Sequence, residues 1–163
     1  MKKTRYIVQA ALIAAIYTVL TVYLAPLSYG GQQFRVSEAL TVLPSLFPAA
    51  IPGLFLGCIL SNTFSFMGLA DMVFGSLATL ISAYLTYRLS RAVRDDNTVL
   101  KLILIPMPPV VINTFVIGAM LRLIAEIPFP AAATGVFIGQ FGACYVLGCP
   151  LYLLLKRLSK TDI

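Results

Sequence analysis

Long stretches without charged residues alternate with short polar gaps along this chain. Residues 6–25 hold no charge, and a helix needs about 20 apolar residues to cross the hydrocarbon core of a bilayer. Similar runs cover residues 72–87, 102–121 and about 131–155. Each of these four runs predicts a membrane-spanning helix.

The charge-free run of residues 39–70 is too long for one crossing. As a helix with a rise of 1.5 Å per residue it would be about 48 Å long, against a hydrocarbon core of about 30 Å. Pro44, Pro48, Pro52 and Gly53 interrupt it, so we expect one short helix at about residues 36–47 and another at about 49–66. The pattern predicts an all-α, polytopic membrane protein with six transmembrane helices in a single domain, residues 1–163.

Composition supports burial in lipid rather than in a soluble fold. The chain is 60% hydrophobic and 11% charged, whereas soluble domains carry about a quarter charged residues. Its net charge of +6 would suit nucleic acid only if the basic residues formed a patch or stripe. They lie in the gaps between apolar runs instead, so no nucleic-acid partner is expected.

The basic residues predict the orientation, because cytoplasmic loops are enriched in Lys and Arg. Six crossings with the N-terminus inside leave only Arg35 and Arg122 outside. A single crossing by residues 36–66 would place four basic residues inside and eight outside. Both termini are therefore expected to be cytoplasmic, together with these ten basic residues: Lys2, Lys3, Arg5, Arg88, Arg91, Arg94, Lys101, Lys156, Arg157 and Lys160.

The sequence lacks several residues and motifs that are typical of enzymes. It contains no histidine, no Gly-x-x-x-x-Gly-Lys motif for ATP and no Gly-x-Ser-x-Gly nucleophile motif. Cys58, Cys144 and Cys149 lie inside apolar runs and suggest neither a disulfide framework nor a metal site. We expect no enzyme activity, no cofactor and no metal.

Polar side chains inside membrane spans are costly and are functional candidates by default. In the predicted topology six of them lie in the outer half of the membrane and would converge on a pocket open to the exterior. A packing role is the alternative: a pair on one helix face, a helix cap, or interhelical hydrogen bonds. The six are Arg35, Glu38, Asn62, Asp71, Asn113 and Gln140.

Small residues on the first helix form two overlapping pairs spaced four residues apart. Ala10 pairs with Ala14 and Ala11 with Ala15, a spacing that lets helices approach closely. Packing within the bundle accounts for this pattern.

Four segments of the chain have a distinctive sequence: residues 33–40 (QFRVSEAL), 48–55 (PAAIPGLF) and 71–79 (DMVFGSLAT), and Pro108-Pro109 with Asn113. They resemble the queuosine-precursor transporter (QueT) family, the substrate-binding S components of energy-coupling-factor importers. It implies a bacterial cytoplasmic membrane protein that delivers its ligand to a transmembrane T component driven by two cytosolic ATPases. The implied ligand is a deazaguanine base, either a queuosine precursor or queuine.

The resemblance also implies roles for particular residues. Glu38 or Asp71 would accept the two N–H donors of the base, with Asn113, Gln140, Asn62 or Arg35 facing its carbonyl. An aminomethyl substituent would add a cation for the remaining carboxylate. The T component would contact Ala10, Ala11, Ala14 and Ala15. Core packing is the expected role of most aromatic residues, and any aromatic walls of the site would come from among Tyr29, Phe34, Phe66, Phe129, Phe137 and Tyr145.

Two other functions stay open at this point. The same fold can bind a different vitamin or a pterin, and a small helical bundle can also work as a stand-alone channel or secondary transporter.

Overall fold

All regular structure is helical in the parts of the chain that the computed structural model describes, residues 2–28, 34–94 and 96–161. Tyr29 lies outside these ranges. The elements in chain order are α1 (Lys2–Tyr23), α2 (Ala25–Ser28), a 3-10 helix (Val36–Ser45), α3 (Ala50–Asn62), a first π-helical turn (Asp71–Gly75), α4 (Ser76–Ala92), α5 (Thr98–Leu104), α6 (Met107–Ile124), α7 (Phe129–Phe141), a second π-helical turn (Gly142–Leu147) and α8 (Gly148–Thr161).

Four helical stretches of the described chain are long and apolar enough to span a membrane: Lys3–Tyr23, Asp71–Ala92, Thr98–Ile124 and Phe129–Leu158. They match the four long charge-free runs, which confirms the all-α class. The third begins earlier than predicted and bends between α5 and α6 at Pro106, because proline has no N–H to donate to the preceding turn.

The segment between the first two long stretches forms a hairpin of two short helices. Its first arm, where the sequence predicts a short helix, is a 3-10 helix that contains Pro44. The Thr41 and Ser45 hydroxyls donate to carbonyls three residues back. At rises of about 2.0 Å and 1.5 Å per residue, each arm is about 20 Å long. Neither arm alone matches the hydrocarbon thickness of about 30 Å.

Close backbone contact joins α1 to α3. A Cβ added at Gly53 would lie 2.7 Å from the Ala10 carbonyl oxygen, and one at Gly57 would lie 2.9 Å from that of Ala14. Ala10 and Ala14 are therefore buried inside the bundle, while Ala11 and Ala15 lie on the exposed side of α1. The four alanines thus occupy two different faces of the helix.

The bundle is apolar outside and partly polar inside. Large apolar side chains such as Leu60, Phe115 and Ile138 are exposed, as they would be to lipid. Hydroxyl side chains instead follow the buried face of α4, from Ser76 and Thr79 to Ser82, Thr86 and Ser90.

We predict that Gly57→Ala destabilises the protein by about 1–3 kcal/mol, because its new methyl group meets the rigid backbone of α1. Thermal unfolding in detergent measures this. Ala15→Leu adds more volume at an exposed position of α1 and is the control. Equal stability of the Gly57→Ala variant and the wild type would contradict the close packing of α1 on α3.

Candidate binding site

Arg35 joins four segments of the chain at one buried point. It lies just before the 3-10 helix and is 4% exposed. Its Nη2 lies 3.0 Å from Asp71 Oδ2, its Nη1 donates to Asn62 Oδ1 at 3.0 Å, and its Nε donates to the Ser28 carbonyl at 3.4 Å. The guanidinium thereby holds the end of α2, the end of α3 and the first π-helical turn against the start of the 3-10 helix.

Asp71 and Asn62 form the other half of this junction. Asn62 Nδ2 donates to the Asp71 carbonyl at 2.8 Å, and the Ser65 hydroxyl donates to Asp71 Oδ2 at 2.5 Å. A Cβ at Gly75 would lie 2.9 Å from Asn62 Nδ2, so the wide π-helical turn needs glycine where it passes the amide. Both side chains are fully buried, and both contact the guanidinium of Arg35.

A narrow cavity lies beside the junction. Arg35 and Glu38 line it from the hairpin, Gly75 and Thr79 from the start of α4, and the remaining walls come from Asn113 and Ile117 of α6 and Val136 and Gln140 of α7. Its volume is about 10 Å³. That is room for about one water molecule.

Glu38 is the carboxylate that faces this cavity. Its Oε1 accepts a hydrogen bond from the Tyr17 hydroxyl at 2.5 Å, and the neighbouring Thr21 and Ser37 hydroxyls lie 2.6 Å apart, so α1 is joined to the hairpin at two successive turns. Among the described residues, Glu38 Oε2 has no hydrogen-bond partner. The residue is only 1% exposed, so one oxygen of a buried carboxylate is available beside the cavity.

The structure divides the predicted binding residues into two groups. Arg35, Glu38, Asn113 and Gln140 line the cavity, although they lie up to 105 positions apart in sequence. The structure places Asn62 and Asp71 behind Arg35, outside the lining.

The predicted aromatic walls are not part of this lining. Phe34 packs on Gly142, where its ring would lie 2.9 Å from an added Cβ. Phe66, Phe129 and Phe137 are exposed on the surface, and Tyr145 donates to the Ile103 carbonyl. Tyr29 lies outside the described residues.

Sequence reasoning missed several residues of the site. Tyr17 lies inside an apolar run, but its position three residues after Ala14 places both on the buried face of α1, a signal that could have identified it. Thr79, Ile117 and Val136 carry no such signal, because residues of these types are common in packed helices. Within the described ranges no three His, Cys, Asp or Glu side chains are arranged to hold a metal ion.

We predict that Arg35→Ala destabilises the protein by about 3–5 kcal/mol, because it leaves Asp71 buried without its cation. Denaturant or thermal unfolding in detergent measures the change. Arg94→Ala is the matched control, since Arg94 pairs with Asp96 at 3.6 Å and its side chain is 88% exposed. That change is expected to cost less than about 1 kcal/mol. Equal losses in the two variants would contradict the structural role of Arg35.

Comparison with known proteins supports a transport role. The family model described as QueT transporter matches residues 7–157. The chain is also similar to the queuosine precursor transporter QueT of Lactococcus lactis subsp. cremoris (strain MG1363), with 31% identity over 96% of each chain. No solved structure matches. With its apolar helices able to span a membrane, the chain is a multi-pass membrane protein, and it belongs to the QueT transporter family.

Proposed function

We propose that this protein is the substrate-binding S component of an energy-coupling-factor importer and captures a deazaguanine base from outside the cell. The observation that carries the proposal is the convergence of a carboxylate, a guanidinium and two amides on one buried cavity, from the hairpin, α6 and α7. Polar groups at this depth are costly in lipid, and convergence on one point is typical of a ligand site. The name of the Lactococcus relative supplies the class of base.

The cavity groups suit a guanine-like base chemically. Such a base presents a ring carbonyl next to N–H donors, and a side-chain amide can donate to the first while accepting from the second. Asn113 and Gln140 are two such amides, and both are buried. Ile117 and Val136 supply apolar surface for the faces of the ring.

Binding requires the cavity to widen. Ligand pockets have volumes of about 300–1,000 Å³, far above the volume of this closed form. The loop before the first π-helical turn contains Gly68, whose φ of 56° is accessible mainly to glycine. We propose that this loop moves away from the bundle to admit the base and closes over it afterwards.

The topology we propose has six membrane segments with both termini in the cytoplasm of a bacterial cell. It leaves ten basic residues inside and two outside, in agreement with the charge bias of membrane proteins. A hairpin that turns back within the bilayer returns the chain to the same side as one that crosses twice. The orientation therefore does not depend on the depth of the hairpin.

Energy for transport would come from other subunits. The 163 residues contain no P-loop, which fits a protein that depends on a T component and two cytosolic ATPases. Of the four alanines on α1, only Ala11 and Ala15 are exposed. We therefore assign the contact with the T component to these two, because small side chains let a partner helix approach closely.

For the ligand site, we predict that Asn113→Ala and Gln140→Ala each weaken binding of the base about tenfold or more, because each removes an amide that faces the ring edge. Isothermal titration calorimetry of the purified protein with queuine and with 7-aminomethyl-7-deazaguanine measures this. Gln9→Ala is the control, since Gln9 lies on α1 away from the cavity.

If the folded protein gives no heat of binding with any of these bases, the proposed ligand class is wrong, and a different vitamin or a pterin is favoured. Equal affinity in the two cavity variants and the wild type would contradict the location of the site.

For the partner surface, we predict that Ala15→Leu abolishes uptake of labelled base while leaving its binding unchanged, because the larger side chain keeps the T component away. Uptake is measured in cells that express the T component and both ATPases. Ile16→Phe adds bulk at the neighbouring exposed position and is expected to transport normally.

Uptake in cells that lack the ATPases would refute the S-component proposal and indicate a stand-alone transporter. If the Ala15→Leu variant loses both binding and uptake of the base, Ala15 is needed for packing within the bundle itself.

A further inference from the structure

We propose that the lid loop, residues 63–70, is docked by Phe66 and Leu69 in the outer leaflet of the membrane. This loop joins α3 to the first π-helical turn, and it is the segment that opens in the proposed function. The contact with lipid needs no ligand. Only its consequence for the opening of the cavity rests on the proposed function.

The inner side of the lid loop rests on the site. The Ser65 hydroxyl donates to Asp71 Oδ2 at 2.5 Å, which ties the loop to the ion pair with Arg35. Met67 packs on the core cluster of α6 and α7 that includes the cavity residues Ile117 and Val136. The loop is therefore seated on the bundle by this side.

The outer side of the same loop carries three large apolar side chains. Phe64 is 63% exposed, Phe66 93% and Leu69 73%, and residues 63–70 contain no charge. The loop between α4 and α5 instead exposes the charged pair Arg94 and Asp96. A contiguous exposed apolar patch marks a surface that a protein or a membrane covers.

The patch continues the surface of the bundle that faces lipid. Leu56 and Leu60 are exposed four residues apart on α3, and Phe64 follows at the same spacing. Beyond the loop, Val73 and Leu77 are also exposed four residues apart. Because residues at this spacing lie on about the same side of a helix, the loop joins two lipid-facing surfaces. Lipid is therefore the occupant that we assign to the patch.

The second long helical stretch places the loop at a membrane boundary. Asp71–Ala92 has 22 residues, so it is about 33 Å long and matches the hydrocarbon core of about 30 Å. Its other end carries Arg88 and Arg91, which are cytoplasmic in the proposed topology. The lid loop then lies at the outer boundary, where exposed Phe and Leu side chains enter a leaflet by about 5–10 Å.

This contact constrains how the lid opens. Lifting the loop into water would transfer Phe66 and Leu69 out of lipid, which the hydrophobic effect opposes. Movement within the leaflet keeps both side chains in lipid while the inner side leaves the cavity wall. Gly68 lies between them and has a φ of 56°, so the backbone at this point can change conformation readily. We expect the lid to move sideways in the membrane.

A single tryptophan tests the contact, because the sequence contains none. The Phe66→Trp variant is reconstituted in phosphatidylcholine vesicles whose lipids carry bromine, a contact quencher, near the headgroup or near the end of the acyl chain. We expect the bromine near the headgroup to reduce the fluorescence by about twofold or more, and the deeper bromine to reduce it less.

Two variants are the controls for this measurement. Phe115→Trp lies on the exposed side of α6, within the third long stretch, and the deeper bromine should quench it more strongly. Asp96→Trp lies in the charged loop between α4 and α5, where iodide in the water should quench it and neither lipid should.

Quenching of Phe66→Trp by iodide alone, as in Asp96→Trp, would overturn the proposal. Protection from iodide and from both lipids would also overturn it, because protein and not lipid would then cover the loop.

Addition of queuine to the same vesicles tests the movement of the lid. We expect the quenching of Phe66→Trp by lipid to be unchanged when the base binds. A change in quenching would overturn movement within the leaflet and leave the contact itself in place. If calorimetry shows that the wild type binds no base, the proposed function fails and the movement with it, whereas the quenching without base still decides the contact.

Discussion

The buried ion pair between Arg35 and Asp71 is the interaction on which the site depends. Both side chains are buried, and a buried charge left without its partner costs about 3–5 kcal/mol, so each residue depends on the other. Together, and with Asn62 and Ser65, they form a hydrogen-bonded junction that ties the hairpin to the first π-helical turn. This junction fixes one wall of the cavity.

Helix α1 connects the two surfaces that the proposed function needs. Its buried face carries Tyr17, which holds the cavity carboxylate, and Ala14, which packs on Gly57. Its exposed face carries Ala11 and Ala15, the proposed contact with the T component. A change in the position of Glu38 would therefore act directly on the helix that we assign to the partner subunit. Ligand occupancy and docking are linked through one rigid element in this account.

The sequence was sufficient to predict the long helices, the break in residues 39–70 and the set of buried polar residues, because charge and proline act locally. It could not predict that residues 36–45 adopt a 3-10 helix or which of the two alanine pairs is buried, since both depend on how the hairpin packs on α1. The role of Tyr17 was not predicted, because a tyrosine in an apolar run is usually a packing residue. The charge bias also could not show how deeply the hairpin enters the bilayer. A hairpin that turns back within the bilayer and one that crosses it twice give the same orientation.

A structure of the protein with 7-aminomethyl-7-deazaguanine bound would test the central claim most directly. We predict that the base lies between Glu38, Asn113 and Gln140 in a widened cavity, with the contact between Arg35 and Asp71 intact. A base bound elsewhere in the bundle would contradict this prediction.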